Sequence, residues 1–268
     1  MIRALAWTAL LGVAAASGGP ADQNAAILES ARREALSYAR HLPNFICTEV
    51  VRRAGDWKGK DEWVPMDTVT LLVTYHDLKE TYQILGRDGK PTKRKLETLA
   101  GAFSQGEFGS TLRMIFDPES KTEFHWERWD LSGIRGLAVF GYRVSAVNSH
   151  YGLVALTQET ITGFHGEIAV DPESGRTMRW TAVAEPPAHF PIASSETSME
   201  YGVVDIGGSE YLLPVRAESL SMERALDPDE LLRLRPSQRE AAAHAVRYRN
   251  QIEFRAYRKF SADARITF

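Results

Sequence analysis

The stretch GFHGEIAVDPESGRTMRW, residues 163–180, predicts two antiparallel strands joined by a tight turn. Before the turn, apolar Phe164 and Ile168 alternate with polar His165 and Glu167, which is the two-residue period of a strand with one buried face. The DPESG segment that follows combines residues that favour turns. The stretch ends with Met178, Arg179 and Trp180, which resume the alternation and place Met178 and Trp180 on one face. This hairpin indicates that the sheet is antiparallel.

The same period recurs along most of the chain after residue 68. It is seen in residues 69–75, 197–203 and 211–215, and most clearly in the last run, residues 247–260. In that last run, one predicted face holds Tyr248, Ile252, Phe254, Ala256 and Phe260. Clean alternation is typical of antiparallel sheets with one buried and one solvated face. Short turn signals between the runs predict sequential hairpins, and hence a meander of about ten strands.

Three segments have helical periodicity instead: residues 24–42, 93–103 and 227–245. The first is amphipathic and stops at a proline, so we expect a helix that buries one face. A sheet of this width must curl to bury one side. The predicted fold class is therefore α+β and mainly antiparallel β: a strongly curved, unclosed β-barrel or half-barrel with helices against its concave face.

Residues 1–16 have the composition of a secretory signal peptide. Arg3 precedes an apolar run of about a dozen residues, and the alanines at 14–16 form a small-residue cleavage site. A membrane anchor is the alternative, but residues 18–20, Gly-Gly-Pro, end the run before the ~20 residues that spanning requires. We expect a periplasmic or secreted protein that does not span the membrane, with a single curved-sheet domain over residues 17–268.

The composition excludes several classes of protein. The chain has 32 basic and 35 acidic residues and a net charge of −3, which argues against nucleic acid as a partner. A hydrophobic content of 44% excludes a disordered chain. The single cysteine, Cys47, allows neither an internal disulfide framework nor a cysteine-based zinc site. Because its neighbours are apolar, we predict that Cys47 is a buried core residue.

The sequence contains no nucleophile elbow, zinc-protease motif, phosphate loop or dinucleotide fingerprint. It therefore predicts no catalytic residues and no cofactor. Its aromatic residues are the other clue, because they would either line an apolar cavity or fill the core. The candidate lining set is Trp126, Phe140, Phe164, Trp180, Tyr201 and Phe254.

A metal site is a further alternative, because the pattern His-x-Glu occurs twice, as His125 with Glu127 and as His165 with Glu167. Residues two apart on a strand share a face. If the two strands were neighbours, the four side chains would converge and could hold a metal. The competing interpretation is that they belong to the solvated faces of two strands.

The order of elements resembles that of the LolA-like periplasmic lipoprotein carriers. The hairpin at 163–180, in which a strand ends in Asp-Pro-x-x-Gly and returns, and the closing Tyr-Arg-Lys-Phe at 257–260 are similar to segments of that family. Residues 42–48, 106–110 and 124–129 are also similar to exported proteins of Acidobacteria. The carrier resemblance implies an unclosed barrel with a helical lid that holds acyl chains in an apolar cavity.

Three hypotheses of different class follow. The first is a non-enzymatic exported carrier or sensor that binds lipid or lipoprotein acyl chains. The second is a cell-envelope interaction module whose core is solid and whose surface docks a protein partner. The third is a metal-dependent hydrolase that uses the two His-x-Glu pairs.

Overall fold

The computed structural model describes residues 19–92, 108–133, 135–155, 158–233, 235–236, 239 and 243–260. These residues form three α-helices: α1 (Pro20–His41), α2 (Ser110–Phe116) and α3 (Pro228–Arg233). They also form twelve strands: β1 (Phe45–Asp56), β2 (Val64–His76), β3 (Lys79–Arg87), β4 (Lys90–Pro91), β5 (Glu123–Asp130), β6 (Leu137–Val144), β7 (Tyr151–Ala155), β8 (Gln158–Val170), β9 (Thr177–Glu185), β10 (Ile192–Asp205), β11 (Glu210–Glu223) and β12 (Val246–Lys259).

The strands form one antiparallel sheet in the order β4-β3-β2-β1-β12-β11-β10-β9-β8-β6-β5, and β7 pairs with the beginning of β8. Most neighbours in the sheet are also neighbours in sequence, as the meander predicts. Two pairings depart from this order: β6 pairs with β8, because β7 lies off the main path of the sheet, and, at the centre, the first strand, β1, pairs with the last, β12. Strands β4 and β5 are the two edges and do not pair with each other, so the curved sheet is unclosed. The predicted fold class is confirmed.

Helix α1 lies against the concave face. It begins at Gly19, whose backbone N–H donates to the Asp22 carboxylate at 3.1 Å, and it ends before Pro43. Ile27, Ala31 and Ala35 recur at four-residue steps and are buried against the sheet. The charged residues between them lie on the exposed side of the helix or at the edge of its buried face.

An aromatic cluster joins the helices to the first strands. Phe45 is fully buried; its ring centroid lies 5.2 Å from that of Tyr75, 5.2 Å from that of Phe108 and 5.4 Å from that of Tyr257. Cys47, the next inward residue of β1, is buried, as the sequence predicts. Offset and edge-on aromatic contacts of this kind add about 0.5–1.5 kcal/mol each beyond the burial of their area.

Several register shifts interrupt the sheet, and two of these β-bulges, in β9 and β12, change the faces that simple alternation predicts. The pairing of β8 with β9 skips Met178, so that Thr177 as well as Trp180 is buried. In β12, Ala256 has a φ of +54° and is exposed, whereas Tyr257 packs against the core. A bulge inserts one residue on one strand, which moves every later side chain to the other face.

Two of the predicted helices lie wholly or partly outside the described residues. The helix expected at 93–103 lies outside them, and so does the expected signal peptide at 1–16. Of the segment 227–245, the described helical part is α3 at Pro228–Arg233.

Candidate functional site: a cleft beneath the first helix

The concave face has two chemically different ends. Beneath α1 and α2 the inward side chains are mostly apolar, although Glu49 of β1 is buried among them. Farther along the same strands, one row of paired residues across five neighbouring strands is polar and buried, and we call it the polar row: Asp67, Arg53, Asn250, Ser219 and Thr197. Alternation places a residue on the inward face, but only the sheet order places these five side by side.

The polar row contains a buried ion pair. Arg53 donates to Asp67 through Nε at 2.5 Å and through a terminal nitrogen at 2.6 Å, and Arg87 approaches the same carboxylate at 2.6 Å. Burial raises the pKa of Asp67, but the two guanidinium groups outweigh it and hold the pKa below its usual value. The carboxylate is therefore charged at neutral pH although water does not reach it.

At the apolar end, a cleft of about 250 Å³ opens between α1, the beginning of β11 and the turn that joins β8 to β9. Its apolar wall consists of Ala35, Tyr38, Leu42, Leu112, Tyr211 and Leu212. The volume lies just below the ~300–1,000 Å³ that is usual for small-molecule sites. The cleft therefore has room for one slender apolar chain rather than for a bulky ligand.

Tyr38 fixes the helix over this cleft. Its hydroxyl donates to the Leu212 carbonyl at 2.9 Å, and its ring meets that of Tyr201 edge-on at 5.9 Å. At the next residue of the helix, the carbonyl of Ala39 accepts a hydrogen bond from the Tyr75 hydroxyl at 2.9 Å. Burial raises the pKa of Tyr38 well above its usual value, so the hydroxyl keeps its proton and remains a donor. These bonds hold the wall of the cleft at a defined distance from the sheet.

The β8–β9 turn closes the other side of the cleft. Gly175 has a φ of +71° and lies so close to Ser30 that a side chain there would collide with the helix. The turn therefore packs closely against the middle of α1. Arg176 and Thr177, which follow the glycine, both line the cleft.

Charged groups surround the mouth of the cleft. The polar residues that line it are Glu34, His41, Arg176, Thr177 and Glu210. An apolar wall with a charged rim is suited to a ligand that is apolar at one end and polar at the other.

Five residues of the predicted aromatic set are buried in the core, and Trp126 packs against it partly buried. Trp180 donates from Nε1 to the Tyr201 hydroxyl at 3.1 Å, and Phe164 stacks on Tyr151 at 4.9 Å. None of the six lines the cleft beneath α1. The lining residues are mostly aliphatic side chains and tyrosines of α1 and β11, which hydrophobic periodicity alone does not distinguish from other core residues.

The His-x-Glu pairs lie on strands that are not neighbours, because β6 separates β5 from β8. His125 lies 2.7 Å from Glu127, whereas His165 contacts Glu185 at 2.8 Å rather than Glu167. Glu167 instead accepts two hydrogen bonds from Arg128, at 2.7 and 2.8 Å. In the part of the chain that the structure describes, no group of three or more His, Cys, Asp or Glu side chains could hold a metal ion.

Three solved structures are similar to this structure over most of its length. The structure is similar to a LolA superfamily protein from Nitrosomonas europaea, with 11% identity, 91% of this chain and 97% of that chain covered, and a TM-score of 0.39. It is similar to an outer membrane lipoprotein-sorting protein domain from Vibrio parahaemolyticus, with 11% identity, 89% and 94% coverage and a TM-score of 0.39. It is also similar to a DUF1329 family protein from Desulfovibrio piger, with 8% identity, 91% and 95% coverage and a TM-score of 0.36.

No protein-family model and no curated protein matches the sequence. Among the described helices, none combines the length and the hydropathy needed to cross a membrane.

Proposed function

We propose that the protein is a non-enzymatic binder of one acyl chain, from a lipid or a lipoprotein, that acts as a carrier or sensor outside the cytoplasm. The cleft beneath α1 is the observation that carries this proposal: its wall is apolar, its rim is charged and its volume suits a single chain. The resemblance of the sequence to LolA-like carriers agrees with it. The signal-peptide composition of residues 1–16 supports the proposed location.

Binding is tested with a variant whose larger side chain fills the cleft. Ala35 is a buried residue of α1 in the cleft wall, so Ala35→Phe should occupy the space that the chain needs. We expect delipidated wild-type protein to bind a single-chain fatty acid in calorimetry, and Ala35→Phe to lose at least tenfold in affinity. Ala26→Phe, on the exposed face of the same helix, is the matched control and should bind like the wild type.

Circular dichroism and thermal unfolding separate a blocked cleft from a misfolded variant. Should Ala35→Phe misfold, Leu42→Arg offers a second way to block the cleft, because Leu42 is the C-cap residue of α1 and belongs to the apolar wall. Absence of fatty-acid binding by folded wild-type protein would contradict the proposal and would favour the interaction module with a solid core. Fractionation of expressing cells tests the location, and a product retained in the cytoplasm would contradict it.

A further inference from the structure

Thr177 lines the cleft, and its hydroxyl is buried and has no partner among the described residues. The residue as a whole is 4% exposed. A buried hydroxyl that is left unpaired is unfavourable, and nearly all such groups in folded proteins find a partner. The bulge at Met178 is what turns this hydroxyl inward rather than to solvent. Thr177 follows Arg176 of the charged rim and lines the cleft together with the apolar wall, so this residue lies where the first polar atom of an amphiphile would lie.

The rim offers charges of both signs. Arg176 is exposed and lines the cleft together with the carboxylates of Glu34 and Glu210. Within the described residues none of these three side chains forms an ion pair, although sixteen such contacts occur elsewhere. A ligand that is only anionic would meet Arg176 favourably and the two carboxylates unfavourably. A ligand that carries one negative and one positive charge can pair with Arg176 and with the two carboxylates at the same time.

We propose that the cleft selects a zwitterionic single-chain amphiphile. When the ligand binds, the Thr177 side chain rotates about its Cα–Cβ bond, so that the hydroxyl faces the cleft and donates a hydrogen bond to the ester or carbonyl oxygen of the ligand. The anionic group of the ligand pairs with Arg176, and its cationic group pairs with Glu34 and Glu210. This inference rests on the proposed function, because the acyl chain must occupy the apolar wall for the head to reach the rim.

The test compares three probes that share one acyl chain and differ in the head: lysophosphatidylethanolamine, lysophosphatidylglycerol and monoacylglycerol. Affinities are measured by calorimetry below the critical micelle concentration. The wild-type protein should prefer the zwitterionic probe over the other two by about tenfold or more. Equal affinity for all three probes would overturn the head-group selection and leave the proposed function standing, whereas binding of none would overturn both.

Substitutions at the rim test separately how the basic and the acidic side chains contribute to binding. Arg176→Gln should weaken binding of both phosphate-bearing probes and leave the uncharged probe unchanged. Glu210→Gln should weaken the zwitterion and strengthen the anionic probe, a reversal that loss of folding would not produce. Arg135→Gln removes an exposed arginine that pairs with Glu173 outside the cleft lining, and it should change none of the affinities.

Thr177→Val removes only the hydroxyl. Affinity for lysophosphatidylethanolamine should fall about three- to tenfold, as expected for the loss of one neutral hydrogen bond. The melting temperature of the ligand-free protein should not fall, because the variant no longer buries an unpaired hydroxyl. Unchanged affinity, or a lowered melting temperature with unchanged affinity, would show that Thr177 does not contact the ligand.

Discussion

The apolar and polar ends of the concave face are built on the same strands but are stabilised differently. Around Phe45, stability comes from burial of large rings that fit one another. In the polar row, Arg53 and Asp67 are nearly as deeply buried as Phe45, yet the cost of removing two charges from water offsets much of their attraction. The comparison teaches that equal burial does not mean an equal contribution to stability, and substitutions can measure the difference.

The largest expected effect is at the apolar end. Phe45→Ala should lower the free energy of unfolding by about 4–5 kcal/mol, because it leaves a cavity among the rings of Tyr75, Phe108 and Tyr257. Urea denaturation measures the change. Phe45→Leu keeps most of the volume and serves as the matched control, with a loss of less than half as much. Similar losses for the two variants would contradict the importance of ring packing here.

A somewhat smaller loss is expected from breaking the buried ion pair. Asp67→Leu should cost about 3–4 kcal/mol, because the guanidinium of Arg53 stays buried without its carboxylate. The same denaturation assay applied to Arg53→Leu/Asp67→Leu should recover part of that loss, since the uncompensated charge is then gone. Phe45→Ala leaves no buried charge, so a second substitution cannot recover stability in this way. A double variant that is less stable than Asp67→Leu alone would refute this view of the polar row.

The smallest effect concerns the end of β1, where Asp56 joins the loop after the strand to β12. Its carboxylate accepts hydrogen bonds from Arg247 and from the backbone N–H groups of Lys58, Lys60 and Asp61. The bond from Arg247 is the main reason that the pKa of Asp56 is lowered to about 2. Because the folded-state pKa lies below the usual value near 4, this stabilisation is complete above pH 4 and is lost as the pH falls towards 2.

Asp56→Asn should therefore be less stable than the wild type at neutral pH, and the difference should shrink below pH 4. Thermal unfolding between pH 2 and pH 7 measures both trends. Asp229→Asn, at an exposed position of α3, is the control and should leave the pH dependence unchanged. A constant difference between Asp56→Asn and the wild type across this range would contradict the assigned role of the carboxylate.

The strands and the first helix are predictable because periodicity is a local property. Ala31 and Ala35 show the buried face of α1 from their spacing alone, and Phe164 and Ile168 do the same for β8. The bulges at Met178 and Ala256 are not predictable in this way, because no special residue type marks either of them. Thr177 was accordingly missed as a site residue, since simple alternation assigns it to the solvated face.

The aromatic residues illustrate the same limit at the level of the site. Phe140, Trp180 and Phe254 are recognisable as buried from their alternation, but the pattern does not say whether a buried ring fills the core or lines a cavity. That depends on what lies opposite, which residues far away in the chain supply. The wall of the cleft combines α1, α2, β11 and the β8–β9 turn, four segments whose meeting no local signal encodes.

The amino-acid sequence alone predicts antiparallel strands with one buried face, an amphipathic helix and sequential hairpins, because the period of hydrophobic residues follows backbone geometry. The tertiary structure adds the pairings between strands that are not consecutive in sequence. The pairing of β1 with β12 sets Arg53 beside Asn250, and the insertion of β6 keeps His125 apart from His165. Tyr142 likewise crosses the glycine at 166 to bond the Thr181 carbonyl at 2.7 Å. Such contacts join residues far apart in sequence, and they exist because strand pairing brings those residues together.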